Sequence, residues 1–314
     1  MKKIWVTKSV AFTVLSAALL SGCASNTASS DGKLNVVTSF YPMYEFTKQV
    51  AGDHANVIAL IPPGAEPHDW EPSAKDMQQL KNANVFVYNG IVEGWAEQSL
   101  KSADNKNRVV VEASKGIEFM EGLPEEEHQE DHKNEAHGDK IQDPHVWLNP
   151  VLAVQEVKAI VVGLTQADPA NKEDYRKNAD AYIGKLKALD ESFKTGLKNV
   201  KRKEFVTQHA AFGYLAKEYG LTQVPIAGLS PEEEPAPDKM ADIIKFAKDN
   251  KVQTIFFETL VDPKVASTIA KEVGAKTAVL NPIEGLTDDD KKKNLDYIGV
   301  MTNNLEALKK ALNE

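Results

Sequence analysis

A single cysteine, Cys23, occurs in the 314 residues, so no internal disulfide can brace the chain. No long hydrophobic run is present either. The longest apolar stretch, Val10 to Leu20, has 11 residues, too few to span a bilayer and the right number for the apolar region of an export signal. Lys2, Lys3 and Lys8 precede or open it and "LSGC" ends it, which reads as a lipoprotein signal over residues 1–22 with Cys23 as the lipid-attachment residue. Positive charge is also scarce. Cleavage before Cys23 removes three of the 37 basic residues and leaves 34 against 46 acidic ones, a net charge of −12. An acidic surface of this kind argues against nucleic acid as a partner and suits cations. There is no local zinc-finger or HExxH spacing, no nucleophile motif and no glycine loop of the oxyanion type.

After a small, polar tether over residues 23–33, short β-branched runs alternate with amphipathic stretches. Strands are expected at 34–40, 55–61, 84–90 and 108–114, then again at 204–209, 222–228, 252–258 and 276–282, with helical segments following them. Such alternation implies parallel strands joined by helical crossovers. The fold class is therefore α/β, with a four-stranded parallel sheet in each of two lobes, residues 34–167 and 201–314. About 280 residues are more than one ordinary domain needs. Between the lobes, residues 168–200 open on Asp168 and Pro169, a helix-start pair, and place Tyr175, Ala179, Tyr182, Leu186, Leu189 and Phe193 three or four apart. One long helix joining the lobes is expected, the alternative being a break near Gly184. "TDDDKKK", Thr287 to Lys293, reads as a capped, charged helix start.

Ligands of open parallel sheets gather beyond the carboxyl ends of the strands. Four residues fall there: His68 in "PPGAEPHDWEPS", His145 in "DPHVWLNP", His209 in "VTQHAAFGYL" and Glu284 in "LNPIEGLT", at spacings of 77, 64 and 75. Three neutral imidazoles and one carboxylate make a tetrahedral shell for Zn²⁺, whereas manganese prefers more oxygen. Glu66 and Asp69 flank His68 and are alternative donors. In "EEEHQEDHKNEAHGDKIQDPHVW", Pro144 and Trp147 can fix the direction of His145. His128, His132 and His137 lie instead in an acidic stretch, 121–140, with almost nothing apolar to bury; they are expected to hold zinc only weakly. His54, in a turn before a strand, has no expected metal role. "SPEEEPAP", Ser230 to Pro237, is expected to line the cleft or to dock on a partner.

"PHDWEPS", "DPHVWLNP", "TQHAAFGYLAKEYGL", "GLSPEEEPAP" and "LNPIEGLT" together resemble the metal-binding lipoproteins of ABC importers, cluster A-I, in their zinc-uptake (ZnuA/AdcA) branch. The resemblance runs over the whole mature chain. It implies a metal cleft between two lobes joined by a rigid helix, with ligands at His68, His145, His209 and Glu284. It also implies zinc capture for an ABC permease and its ATPase by a lipid-anchored, monomeric protein on the extracytoplasmic face of the membrane, and no enzymatic activity. Manganese-binding relatives carry a carboxylate where this chain has His209. A manganese or iron carrier, a zinc hydrolase with Glu284 as base, and an adhesin on the same scaffold are the alternatives.

Overall fold

The computed structural model describes residues 32–122, 141–232 and 235–314. Cys23, the signal stretch, most of the tether, and His128, His132 and His137 lie outside the described residues. In the first lobe, β1 (Leu34–Thr38), α1 (Tyr41–Ala51), β2 (Ala55–Ala59), α2 (Ala74–Asn82), β3 (Val85–Tyr88), α3 (Ala96–Ser102) and β4 (Val109–Glu112) alternate, and α4 (Pro150–Ala167) closes the series. The helix α5 (Lys172–Leu197) leads into the second lobe. There β5 (Glu204–Thr207), α6 (Gly213–Tyr219), β6 (Thr222–Pro225), α7 (Pro237–Asp249), β7 (Thr254–Phe257), α8 (Lys264–Val273) and β8 (Lys276–Val279) repeat the scheme, followed by α9 (Asp288–Lys292) and α10 (Tyr297–Leu312).

Both sheets are parallel, in the orders β2-β1-β3-β4 and β6-β5-β7-β8. Val36 stands between Val57 and Val85, and Val206 between Val224 and Ile255, so branched side chains stack across the middle of each sheet. All eight expected strands are present, each two or three residues shorter than its apolar run. At the carboxyl ends the surplus residues, such as Ser39 and Phe40 or Gln208 and His209, bend out of the regular strand into the connections that follow, although Ser39 and Gln208 still bond to the neighbouring chain segments through main-chain groups.

The linking helix is continuous through Gly184 and, at 1.5 Å per residue, about 39 Å long. It starts later than expected. Pro169–Asn171 wind as a 3₁₀ turn, and the Asp168 carboxylate accepts from the Asn171 side-chain amide at 2.6 Å and the Tyr175 hydroxyl at 2.7 Å. Its apolar face, with Tyr182, Leu186, Leu189 and Phe193, packs on α1 and α4 on one side and on α10 and α6 on the other. The largest core cluster is consequently shared by the lobes: Val36, Phe46, Val157 and Leu164 of the first run through α5 to Phe205, Phe256, Leu280 and Leu308 of the second, while separate clusters around Phe86 and around Ile255 belong to one lobe each. Thr287 caps α9 through Asp290, whose N–H donates to the Thr287 hydroxyl at 3.1 Å.

Candidate metal centre

In each sheet the first strand lies between the second and the third, so successive connections leave in opposite directions and a crevice opens beyond the strand ends. In the second lobe that crevice holds His209, two residues past β5, and Glu258, the first residue past β7. His68 comes from the segment between β2 and α2. The left-handed Gly64 (φ 84°) turns this segment, the Trp70 ring anchors it against Trp95 at 5.1 Å, and Glu66 closes it by accepting the His68 main-chain N–H at 2.9 Å.

His145 does not follow a strand as expected, because β4 ends at Glu112. It enters from the start of α4. Glu121 pairs with Gln142 in an antiparallel bridge, the Asp143 N–H donates to the Met120 carbonyl at 3.0 Å, and His145 then precedes a 3₁₀ turn whose end, Asn149, caps α4. Glu284 lies beyond β8, behind the fully buried Ile283, which has φ 60°. A branched side chain in that region costs about 1–3 kcal/mol. Neighbouring bonds must hold it there.

These four residues converge. One ligand atom from each of His68, His145, His209 and Glu284 falls within 4.8 Å of the others. Glu284 Oε1 is 3.1 Å from His68 Nε2, 3.6 Å from His145 Nε2 and 3.5 Å from His209 Nε2, while the last two nitrogens are 3.3 Å apart. A tetrahedral ion with donors at about 2.0–2.1 Å requires donor–donor edges of about 3.3–3.4 Å. The four distances scatter about that length.

The ring orientations point the same way. His145 Nδ1 is 2.8 Å from Asp143 Oδ1 and His209 Nδ1 is 2.7 Å from Glu258 Oε1. An ionised carboxylate can only accept, so both Nδ1 atoms carry the proton and both Nε2 atoms face the cleft. In neutral rings those Nε2 atoms are lone pairs aimed at each other and at a carboxylate, an arrangement that only a cation relieves. Without metal, protons take that place. Burial pulls His145 and His209 down, but the carboxylates outweigh it: Asp143 and Glu284 raise His145, and Glu258 and Glu284 raise His209 well above the ordinary value. Burial likewise opposes ionisation of Glu284, yet hydrogen bonds from the three histidines hold it well below the usual carboxylate range.

Asp143 and Glu258 escaped the sequence reading, although both stand in stretches it singled out, "DPHVW" and the strand "VQTIFFE". The expected directing residues for His145 were Pro144 and Trp147. Trp147 does pack on the ring, at 5.1 Å between centroids, but Asp143 makes the bond. Its close fit needs Gly213 at the start of α6, where an added Cβ would come within 2.9 Å of Asp143 Oδ2. Glu66 Oε1 lies 3.9 Å from His68 Nε2, and neither Glu66 nor Asp69 joins the group of four. His54 instead ties the first lobe to α5 through Asp174 at 2.9 Å.

Two parallel α/β lobes braced by one helix, with three imidazoles and a carboxylate meeting between them, define a two-lobed protein with a donor-lined cleft. The chain belongs to the family of zinc-uptake complex component A, periplasmic, which it matches over residues 36–311. It is 50% identical over 295 residues to the high-affinity zinc uptake system protein ZnuA of Bacillus subtilis, covering 93% of this chain and 92% of that protein. It is 47% identical to the zinc-binding lipoprotein AdcA of Streptococcus pneumoniae, of whose longer chain it spans 62%. The crystal structure of Zn(II)-bound AdcA from Streptococcus pneumoniae matches with a TM-score of 0.77 at 45% identity, over 90% of this chain and 58% of that one. The family is one of uptake components and not of enzymes, so the hydrolase alternative falls away.

Proposed function

We propose that this protein captures Zn²⁺ outside the cytoplasm and delivers it to an ABC permease and its ATPase. Nε2 of His68, His145 and His209 and Oε1 of Glu284 hold the ion. One observation carries the reading: three imidazole nitrogens and a carboxylate oxygen drawn from two lobes lie within 4.8 Å of one another. Two of the rings have Nδ1 fixed by carboxylates, which leaves Nε2 for the ion. Four protein donors close a tetrahedral shell, whereas a catalytic zinc keeps a position for water. A lipid on Cys23 holds the protein, as a monomer, at the extracytoplasmic face of the membrane. Ser230 to Pro237, of which Glu233 and Glu234 lie outside the described residues, is the segment proposed to dock on the permease or to line the cleft.

His209 separates zinc from manganese or iron. Competition titrations of Zn²⁺, Mn²⁺ and Fe²⁺ on the untagged protein and on His209→Asp test the choice. The wild type is expected to prefer zinc. The variant, with two nitrogens and two carboxylates, is expected to show a Zn²⁺ to Mn²⁺ affinity ratio smaller by about tenfold. An unchanged ratio places His209 outside the shell.

His128, His132 and His137 hold further zinc weakly. The chain on either side of their segment is already paired, Glu121 with Gln142 and the Gly122 N–H with the Ile141 carbonyl at 2.8 Å. Deleting Glu125 to Lys140 is therefore expected to leave one tight zinc site and to remove only the weak extra zinc. Loss of the tight site on deletion would put the metal in that segment.

A further inference from the structure

Ile283, next to Glu284, is the one β-branched residue with a left-handed backbone among the described residues. Sterics disfavour that conformation for a branched side chain, so its surroundings must impose it. Most of them belong to the second lobe. The Ile283 N–H donates to Asn281 Oδ1 at 2.7 Å, and Asn304 of α10 grips Asn281 at both its N–H (2.9 Å) and its carbonyl (2.7 Å). The exception is Trp147. Its indole N–H crosses from the first lobe to the Pro282 carbonyl at 2.8 Å, while its own carbonyl accepts the Tyr297 hydroxyl of α10 and its ring packs edge-on against Phe40 at 5.0 Å. A residue two positions from His145 is thus bonded to the carbonyl two positions before Glu284.

We propose that Trp147 is a positioning residue for Glu284. Its bond to the Pro282 carbonyl holds Ile283 in the left-handed backbone and so keeps the Glu284 carboxylate in the cleft, which makes retention of zinc depend on contact between the lobes. This rests on the reading of Glu284 as a zinc ligand. Parting the lobes breaks the bond, lets the Pro282–Ile283 peptide relax and withdraws the carboxylate, so that release follows from relief of strain.

The test is the rate of zinc loss to excess chelator for the full chain, Trp147→Phe, Glu284→Ala and the double variant. Phenylalanine keeps an aromatic ring and removes the donor; the volume it also loses at this fully buried position acts in both backgrounds alike, so only the difference between them reports the bond. Trp147→Phe is expected to speed zinc loss by about tenfold when Glu284 is present and by less than about twofold in the Glu284→Ala background. Equal acceleration in both backgrounds overturns the proposal, since Trp147 would then act through packing alone. Should Glu284→Ala change neither affinity nor rate, the ligand reading itself fails and takes the inference with it. If Trp147→Phe does not fold, replacing Trp147 with benzothienylalanine, which keeps the bicyclic shape and puts sulfur where the indole N–H donates to Pro282, carries the same pair of expectations.

Discussion

Glu258 reaches His209 twice, accepting its main-chain N–H at 3.1 Å and its Nδ1–H at 2.7 Å, with both side chains buried. The carboxylate sets the tautomer and makes the ring a stronger donor to an ion on the other side, an effect that outer partners of metal-bound histidines commonly supply at about 10–100-fold in affinity. Glu258→Gln retains an acceptor oxygen and loses the charge. Its zinc dissociation constant, from chelator competition at pH 8, is expected to rise by about tenfold. An unaltered constant would mean that Glu258 serves folding alone. The four convergent donors were legible in the sequence because each stands in a stretch punctuated by proline, tryptophan or glycine. Glu258 was not, because it is 49 residues from its histidine and a carboxylate that grips Nδ1 leaves no spacing pattern.

Elements were legible where one periodicity ran uninterrupted. The helix α5 holds its apolar spacing through Gly184, whose missing side chain leaves open space beside it, and so the expected possibility of a break is not realised. Strand ends were overread because apolar residues past the ladder, such as Phe40, are buried as deeply as those within it. A second feature escaped altogether. Glu156, on the buried face of α4, shares one oxygen with the Asn89 amide at 3.2 Å, and its other oxygen has no hydrogen-bond partner among the described residues. Burial, and to a lesser degree Glu93, push this carboxyl up from 4.5 to about 8. The folded state therefore binds the proton more tightly than the unfolded chain does. This contribution is fully present below 4.5 and is lost as pH rises through 8. Glu156→Gln, which cannot ionise, is expected to stabilise the protein by about 2–4 kcal/mol at pH 9 relative to its effect at pH 4. Urea unfolding at the two pH values measures it, and equal effects at both would show that Glu156 ionises without cost.

At the scale of the whole molecule, the sequence showed two lobes and a strut but not that their largest core cluster runs through α5, because packing between distant helices leaves no periodic trace. Around the cleft the lobes also meet through apolar side chains, Ile117 and Val146 against Tyr214 of α6, while the cleft itself gathers the polar groups. In the metal-free protein protons fill the cleft. His145 and His209 are raised above 6.5, so their contribution to stability is fully present below 6.5 and is lost as pH rises through their folded values. Glu284 is depressed below 4.5, so its contribution is present above 4.5 and is lost as pH falls through its folded value. The metal-free cluster therefore contributes most between 4.5 and 6.5. Zinc requires the neutral rings and must expel these protons, so binding at pH 7 should release more than one proton per ion and strengthen as pH rises. The increase in melting temperature on adding zinc is accordingly expected to be large near pH 8, where the proton-held cluster has weakened, and small near pH 5, where protons compete. Thermal scans with and without zinc at both pH values, with calorimetry in buffers of different ionisation enthalpy to count the protons, give the comparison. An increase of the same size at both pH values, with no proton release, would mean that the ion is not held by these histidines.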